Sequence, residues 1–453
     1  MVGKRDNFGK LGVILATAGS AVGLGNIWRF PYMTGQDGGA AFLIIYIICV
    51  CLLGIPGMVA EFIVGRHGAS NAVRAYRKVG GSRYWSVIGY MGIICSMIIL
   101  GFYAVVAGWC LQYLYASFAG ELNGDSEYVS HYFKNLSSSA VLPALWAVAF
   151  ITMTHVVVTR GVRNGIEKSA RMLMPLLILL LIVIVIASCS LPDAIDGIRF
   201  LFYPDFSKMT KGVMLDALGQ AFFSLSLGTA CLCTYASYFS RSTNLLKSSA
   251  QIAVLDTVIA ILAGLMIFPA AASVGVSPDS GPSLIFVTLP NVFREAFASV
   301  PVVGYIVGFS FYSLLSLAAL TSTISMHEIA TAFFTEEFRL SRRWGAVIVT
   351  VVCSVIAVFC SLSVGANKNI SIMGIPLLDF CDNLTALVLM PLGAFLTCIF
   401  IGWVVPSRIV RDEFTNWGMV PTFLYHVWRF SVRIICPICI GIIFLRQLGV
   451  VTF

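Results

Sequence analysis

The sequence predicts an all-α polytopic membrane protein of eleven transmembrane helices, built as two inverted five-helix repeats in which helices 1 and 6 are broken. Three observations support this fold class. Hydrophobic residues make up 58% of the chain and charged residues only 11%, whereas a soluble domain carries about 25% charged residues. Eleven apolar stretches reach the length of about 20 residues that crosses a bilayer. Two of these stretches are interrupted by glycine and polar residues.

The eleven apolar stretches follow one another without a flexible linker, so we treat residues 1–453 as a single transmembrane domain. They lie at 11–31, 40–65, 86–118, 141–159, 166–191, 213–239, 247–275, 298–334, 344–363, 374–403 and 421–446. Segments 11–191 and 213–403 each contain five spans and each begin with an interrupted one. Because five is odd, the second segment enters the membrane from the opposite side, as in an inverted repeat. Residues 421–446 form an extra helix 11.

The net charge of +8 reflects membrane topology and does not indicate a nucleic-acid partner. With the N-terminus placed in the cytoplasm, 21 of the 29 Lys and Arg residues fall on the inner side and 8 on the outer side. This asymmetry follows the positive-inside rule. We therefore expect a multi-pass protein of the cell (inner) membrane with a cytoplasmic N-terminus and an extracytoplasmic C-terminus. All thirteen cysteines lie within or at the edges of apolar stretches, so we predict no disulfides.

The first interruption is G-S-A-V-G-L-G-N-I-W-R-F-P at 19–31, and the second is S-L-S-L-G-T at 224–229. Glycine weakens a helix, and backbone groups freed in the hydrocarbon have no water to pair with. Such breaks persist only where an ion, a substrate or protein groups take the place of water. Interruptions at corresponding positions in two halves of a membrane protein indicate a transporter binding site.

The fifth span carries a weaker signal, because Gly165 and Pro175 enclose nine residues near its inner end. Proline removes one helix hydrogen bond and glycine weakens the preceding turn. The inner end of this helix can therefore unwind and admit water to a central site. A static kink explains the same two residues equally well.

Several motifs resemble those of the neurotransmitter:sodium symporter family. The motifs are the 19–31 segment, G-G-A-A-F, I-P-G-M, E-F-I-V-G-R, G-Q-A-F-F-S-L-S-L-G, T-Y-A-S-Y and A-A-L-T-S-T. The resemblance runs from about Arg5 to Trp403, and eleven spans with short tails are similar to the bacterial members. It implies a sodium-coupled secondary symporter that works by alternating access. It also implies that the chain is not an enzyme.

The chemistry of Na⁺ favours hard oxygen ligands, which broken helices supply as free carbonyls. The resemblance implies two ions. The first site then comprises Ala21, Asn26, Ser224 and Asp256. The second comprises Gly19, Val22, Ala318, Thr321 and Ser322. Without the resemblance, Thr321 and Ser322 are better explained as helix-packing hydroxyls.

Asp256 departs from the family pattern, in which this position usually carries Asn. An acid within a membrane span is a functional candidate because its burial is costly, although an acid near the membrane interface is the alternative. Relatives from animals bind chloride close by to balance the sodium charge. The residues that resemble this chloride site are Tyr46, Gln220, Ser224 and Ala260. A fixed carboxylate can supply the same charge, so we expect no requirement for chloride.

The resemblance also implies a pocket for an amino acid, with its carboxylate at the amides of a half-helix N-terminus. The residues that match this pocket are Ser20, Ala21, Leu24, Gly25, Ile99, Tyr103, Phe223, Ser224, Ser226, Thr229, Ser322 and Met326. We expect a neutral substrate of medium or large size, hydrophobic or aromatic. Another small amine or zwitterion, such as a non-proteinogenic amino acid, is the alternative.

Two charged pairs match the gates of the family. Arg29 with Asp379 corresponds to the outer gate, and Arg5 with Glu336 to the inner gate, near Phe8 and Tyr238. The acids Asp382 and Glu328 receive no role from the sequence.

Other functions fit the sequence less well. The five histidines are scattered over unrelated segments and form no H-E-x-x-H or Ser/His/Asp pattern, which argues against an enzyme. Few charges lie at bilayer depth, which argues against a channel. A non-transporting receptor on the same fold remains an alternative. The expected partners are an amino acid and the lipid bilayer, and the sequence gives no oligomeric state.

Overall fold

The computed structural model describes residues 8–122, 124, 126–275, 284–367 and 369–447, and this part of the chain is mostly α-helical. The helices of the first half are α1 (Lys10–Ala21), α2 (Phe30–Gln36), α3 (Ala40–Cys49), α4 (Ile55–Gly68), α5 (Ala72–Gly80), α6 (Ser86–Ala119), α7 (Ser126–Ser138), α8 (Leu142–Thr159), α9 (Lys168–Cys189) and α10 (Ala194–Phe202). Those of the second half are α11 (Lys211–Ser224), α12 (Cys231–Ala236), α13 (Leu245–Ser273), α14 (Leu289–Ala296), α15 (Pro301–Glu337), α16 (Arg342–Ser363), α17 (Leu377–Asn383), α18 (Met390–Ile399), α19 (Ser407–Phe414), α20 (Thr422–Phe430) and α21 (Cys436–Gln447).

Short segments of other geometry connect several of these helices. The π-helical segments are Gly25–Arg29, Val50–Gly54, Val162–Glu167, Leu284–Thr288, Leu384–Leu389, Phe400–Val404 and Ser431–Ile435. The 3₁₀ turns are Arg83–Trp85 and Phe206–Lys208. Two short strands, β1 (Ser371–Ile372) and β2 (Ile375–Pro376), form an antiparallel hairpin that the sequence did not predict.

Within the described residues, nine helical stretches are long and apolar enough to cross a membrane, and one bent pair raises the number to ten. The bent pair is Gly12–Ala21 with Gly25–Gln36, whose axes differ by 54°. The predicted sixth span consists of two shorter helices, α11 and α12, separated by six residues. The count of eleven spans and the inverted repeat therefore stay predictions.

The first break (residues 22–24) begins where Val22 leaves the helical region, with φ −71° and ψ 110°. The second break (residues 225–230) contains three residues with left-handed backbone, Ser226 at φ 54°, Gly228 at φ 82° and Ala230 at φ 60°. Left-handed backbone costs energy for a residue with a side chain and persists where the surroundings impose it. A Cβ on Gly228 would lie 2.1 Å from the Met390 carbonyl oxygen, so this position requires glycine for space as well.

The centre of the protein is built on two long helices, α6 and α15, which pack against each other and against α8 and α16. Large apolar side chains on the outside of the bundle are exposed, among them Met172, Ile186 and Trp344 at 66%, 62% and 65%. Extensive exposed apolar surface on a helical bundle is typical of contact with lipid. The broken spans are thus enclosed by intact helices whose outer faces contact the bilayer.

The fifth span is helical throughout, as the π segment Val162–Glu167 continues directly into α9 with Pro175 inside the helix. A Cβ on Gly165 would lie 2.1 Å from the Val157 carbonyl oxygen. Gly165 therefore permits the close approach of the fourth and fifth spans. Unwinding of this segment stays a prediction.

The contact between α4 and α12 yields a test of the packing. A Cβ on Gly65 would lie 2.0 Å from the Cys233 carbonyl oxygen, whereas a Cβ on Gly219 meets nothing within 4 Å. Overpacking a core costs roughly 1–3 kcal/mol. We expect Gly65→Ala to lower the apparent melting temperature in detergent and Gly219→Ala to leave it unchanged. Equal melting temperatures for the two variants would contradict the close contact of α4 and α12.

Candidate functional site

A cavity of about 520 Å³ lies between the two breaks and opens toward the predicted outer face. All twelve residues predicted to contact the substrate line it: Ser20, Ala21, Leu24, Gly25, Ile99, Tyr103, Phe223, Ser224, Ser226, Thr229, Ser322 and Met326. They come from the first break and the residues on either side of it, from α6, from the end of α11 and the second break, and from α15. The fold thus brings together residues that lie up to about 300 positions apart in the chain.

Asp256 lies in the middle of α13 and is fully buried where the two breaks meet. Its carboxylate accepts three hydrogen bonds, from Asn26 Nδ2 at 2.7 Å, from Ser224 Oγ at 2.7 Å and from the Tyr46 hydroxyl at 3.1 Å. These donors are themselves at most 1% exposed. The alternative of an acid near the membrane interface does not fit this burial.

The groups around Asp256 include oxygens that can bind a hard cation. Asn26 Nδ2 also donates to Ser224 Oγ at 3.0 Å, while Asn26 Oδ1 accepts from the Gly23 amide at 3.1 Å. The oxygen and nitrogen of an amide side chain are interchanged by a rotation of its terminal torsion. With the Asn26 oxygen turned toward Asp256, the carboxylate, the amide and the Ser224 hydroxyl present oxygens to one point.

A second group of oxygens lies where α15 contacts the first break. Thr321 Oγ1 lies 3.4 Å and Ser322 Oγ 3.3 Å from the Val22 carbonyl oxygen, and Thr321 Oγ1 lies 2.9 Å from the Ala318 carbonyl oxygen. Gly19 contacts the same threonine, since a Cβ on Gly19 would lie 3.5 Å from Thr321 Cβ. All five predicted residues of the second sodium site therefore lie together, and their oxygens are of the kind that Na⁺ binds.

The end of the cavity predicted to bind a carboxylate is formed by Tyr103 and the first break. The Tyr103 hydroxyl accepts a hydrogen bond of 3.1 Å from the Leu24 amide. On the other side, Thr229 Oγ1 donates to the Ser226 carbonyl oxygen at 2.8 Å and accepts from the Cys231 amide at 3.3 Å. The Thr229 hydroxyl is thus used within the second break, which leaves its methyl group as the part available to a ligand.

Sequence reasoning did not identify several residues of the cavity wall. Among these are Phe102, Val106, Cys231, Ser325 and Met390. Val106 and Ser325 lie three residues after Tyr103 and Ser322, so helical periodicity could have found both. Met390 follows the π segment of the tenth span and has no comparable signal.

Residues of the predicted outer gate line one end of the cavity. The guanidinium carbon of Arg29 lies 4.3 Å from the centre of the Phe223 ring. The predicted partner Asp379 lines the same cavity, as does Asp382, whose negative charge is near enough to act on Arg29. Asp382 lies three residues further along the tenth span. Asp382 is therefore a second candidate acid for this gate, and the pairing of Arg29 with Asp379 stays a prediction.

The predicted inner gate is described only in part, because Arg5 lies outside the described residues. Glu336 accepts a 2.7 Å hydrogen bond from the Asn71 amide. The Phe8 amide donates to the Tyr238 carbonyl oxygen at 3.0 Å.

The sequence assigns no role to Glu328, and the structure places this residue in a buried ion pair. Its buried carboxylate forms an ion pair with Arg342, in which Arg342 Nη1 lies 3.1 Å from Glu328 Oε1. The Tyr238 hydroxyl donates to the same oxygen at 2.6 Å. Glu328 therefore links α15 and α16 to the end of the sixth span.

Asp37, at the outer end of the first span, belongs to a small charged group. Arg446 Nη1 on α21 lies 2.9 Å from Asp216 Oδ1 on α11. The pKa of Asp37 is raised to about 6, mainly because the side chain is partly buried and also because of the Asp216 charge, while Arg446 opposes this rise. The native protein therefore binds a proton at Asp37 more tightly than the unfolded chain does.

This pKa predicts a pH-dependent stability. At pH 7.5 the native state contains an ionised Asp37 that its surroundings disfavour, and the penalty is lost as the pH falls from about 6 toward 4. We expect Asp37→Asn to melt at a higher temperature than the parent at pH 7.5 and at the same temperature near pH 4.5. Asp196→Asn, at an exposed acid, is the control. A difference between Asp37→Asn and the parent that stays constant with pH would be inconsistent with this assignment.

Known proteins resemble this chain over its whole length. The Sodium:neurotransmitter symporter family profile matches residues 5–140 and 126–452. The chain is 36% identical over 449 residues to YhdH, an uncharacterized sodium-dependent transporter of Bacillus subtilis (strain 168), with 98% of each sequence covered. It is 27% identical over 331 residues to the human sodium- and chloride-dependent GABA transporter 2. The aligned region is 62% of this chain and 54% of that protein.

Among solved structures, the crystal structure of MhsT in complex with L-phenylalanine superposes with a TM-score of 0.89 and 41% identity, over 98% of this chain and 100% of that one. The all-α membrane fold predicted from the sequence is thereby confirmed, as is the expectation that the chain is a transporter and not an enzyme. The chain belongs to the sodium:neurotransmitter symporter family.

Proposed function

We propose that this protein imports a neutral amino acid of medium or large size by symport with Na⁺, and that it does so without chloride. The observation that carries the proposal is the position of Asp256. Its carboxylate is fully buried between the two breaks and accepts hydrogen bonds from Asn26, Ser224 and Tyr46. A buried acid surrounded by neutral oxygen-bearing groups favours a bound cation.

Two groups of oxygens support two sodium ions. The first consists of Ala21, Asn26, Ser224 and Asp256, and the second of Gly19, Val22, Ala318, Thr321 and Ser322. Each group joins the first broken span to an element from the second half of the chain. Binding of Na⁺ would therefore favour the arrangement in which these elements are close, which is how an ion can be coupled to a conformational change.

The charge of Asp256 supports transport without chloride. Opposite unit charges about 4 Å apart attract by roughly 4 kcal/mol at an effective dielectric constant of about 20, so a carboxylate can balance a neighbouring Na⁺. The donors that would bind chloride are also engaged elsewhere. Tyr46 and Ser224 donate to Asp256, and Gln220 Nε2 donates to the Gly25 carbonyl oxygen at 3.2 Å.

The cavity wall supports a neutral, mainly apolar substrate. Ile99, Phe223 and Met326 contribute apolar surface. Among the described residues that line the cavity, the charged ones are Arg29, Asp379 and Asp382, all at its outer end. L-phenylalanine, which is bound in the MhsT crystal structure, combines an apolar side chain with the carboxylate that Leu24 and Gly25 would bind. A carboxylate-free amine would leave these amides without a ligand.

Alternating access would use the ends of the same cavity. Arg29, Asp379 and Asp382 line its outer part, where Arg29 could form a charge-assisted pair with one of these acids as the cavity narrows. At the other end, Phe8 and Tyr238 close the space beneath the first broken span. We propose that the first end faces outward and the second faces the cytoplasm, in keeping with the charge distribution of the loops.

The role of Asp256 is tested by anion replacement. We expect purified protein in liposomes to take up labelled L-phenylalanine along a Na⁺ gradient equally well in chloride and in gluconate. Asp256→Asn keeps the size of the side chain and loses its charge, so its uptake should fall at least tenfold in gluconate and recover in chloride. Asp196→Asn, at an exposed acid, should behave as the parent.

Two outcomes would overturn the proposal. One is a requirement for chloride in the parent protein. The other is uptake by Asp256→Asn that equals that of the parent in both anions and at every Na⁺ concentration. Ala260→Ser in the Asp256→Asn background adds a hydroxyl one turn further along α13. It should strengthen the dependence on chloride if the anion binds here.

The substrate class is tested with matched ligands. In Na⁺, L-phenylalanine should raise the melting temperature of the protein, whereas 2-phenylethylamine, which lacks only the carboxylate, should not. Replacing Na⁺ by choline should remove the effect of the amino acid. A shift of equal size with the amine would favour the alternative of an amine transporter.

A further inference from the structure

Glu167 is a buried acid that the proposed transport cycle does not yet use. It is the last residue of the π segment Val162–Glu167, and its side chain is 5% exposed. Both carboxylate oxygens lie 3.3 Å from the Gly9 amide, and Oε1 also accepts a 2.6 Å hydrogen bond from Arg171. The acid therefore connects the fifth span to the N-terminus of α1.

The Gly9 amide is one of the unpaired donors at the start of α1. Gly9 occupies the N-cap position and has no side chain that could accept a hydrogen bond. A carboxylate that accepts from the N-cap amide pairs this donor as the acid of a capping box does, and it interacts favourably with the positive end of the helix dipole. Glu167 thus supplies from another span the cap that the sequence of α1 does not provide.

The carboxylate of Glu167 packs closely against α1. A Cβ on Gly12, one turn into α1, would lie 2.4 Å from the carboxylate carbon of Glu167. The glycine therefore leaves the space that the carboxylate occupies. Arg171, one turn after Glu167, is 49% exposed and pairs with Oε1, one of the two oxygens near the Gly9 amide.

We propose that Glu167 is a positioning residue that couples the winding of the start of the fifth span to the position of α1. While the π segment is wound, its last residue caps α1 and keeps this half of the first broken span against the fifth span. Unwinding of 162–167 would withdraw the carboxylate and remove this contact between α1 and the fifth span. The role in transport rests on the proposed function, but the contact itself does not.

The coupling predicts that a change in one span is detected in the other. We expect Glu167→Ala to accelerate hydrogen–deuterium exchange, measured in Na⁺, in peptides from both 8–21 and 162–171. The acceleration should be about fivefold to tenfold, which is the range expected for loss of one helix cap. Alanine favours helix, so faster exchange in 162–171 would come from the lost contact with α1. Gly12→Ala changes the α1 side of the contact and should also accelerate exchange in both peptides.

Three comparisons make the test specific. Glu167→Gln keeps an acceptor oxygen and most of the volume, so it should give a smaller rise than Glu167→Ala. The double variant Gly12→Ala, Glu167→Ala should exchange no faster than Glu167→Ala alone, because both changes remove one contact. Glu413→Ala removes a similarly buried acid, paired with Arg66 at 2.6 Å, and should leave both peptides unchanged.

Additive effects in the double variant, or faster exchange confined to the mutated span, would overturn the proposal. Exchange does not require transport. A protein that fails to take up amino acids but shows the predicted exchange pattern would therefore refute the proposed function and leave this coupling intact. If Glu167→Ala does not fold, Glu167→Gln and Gly12→Ala still decide the question.

Discussion

Asp256 joins three parts of the chain through one carboxylate. Its hydrogen bonds come from Tyr46 on α3, from Ser224 at the end of α11 and from Asn26 just beyond the first break. A buried charge is expensive unless its partners compensate it. Here the partners are neutral, so an ionised Asp256 leaves the network with a net negative charge at the place where the two breaks meet. Such a charge supports the cation site that we propose here.

The breaks themselves depend on side chains from intact helices. Glu61 of α4 accepts a 2.7 Å hydrogen bond from the Gly228 amide, and Tyr103 of α6 accepts one from the Leu24 amide at 3.1 Å. Backbone groups freed within a membrane must be paired by protein or ligand. A backbone amide of each break is therefore paired by a side chain from an intact helix, and one of these side chains, Tyr103, also lines the cavity. Ligand binding and backbone geometry are linked through this shared group.

The sequence predicted the elements whose chemistry is local. Glycine and asparagine inside an apolar stretch indicated the first break, and the resemblance brought Tyr103, Ser322 and Met326 to the cavity. It did not predict pairings that depend on helix rotation and depth. The pairs Glu328–Arg342 and Glu167–Gly9 join segments that share no motif, and the effect of the Asp382 charge on Arg29 depends on how the tenth span is rotated. Such contacts follow from packing, which periodicity alone does not determine.

We propose that cations lie at the first break, one beside Asp256 and one beside α15. The most direct measurement is an anomalous-scattering map of crystals grown in Na⁺ and soaked in Tl⁺, a heavier monovalent cation. We expect one peak among Ala21, Asn26, Ser224 and Asp256 and a second among Gly19, Val22, Ala318, Thr321 and Ser322. Both peaks should disappear when excess Na⁺ is restored. A map with continuous first and sixth helices, or with no peak at either group of oxygens, would contradict this proposal.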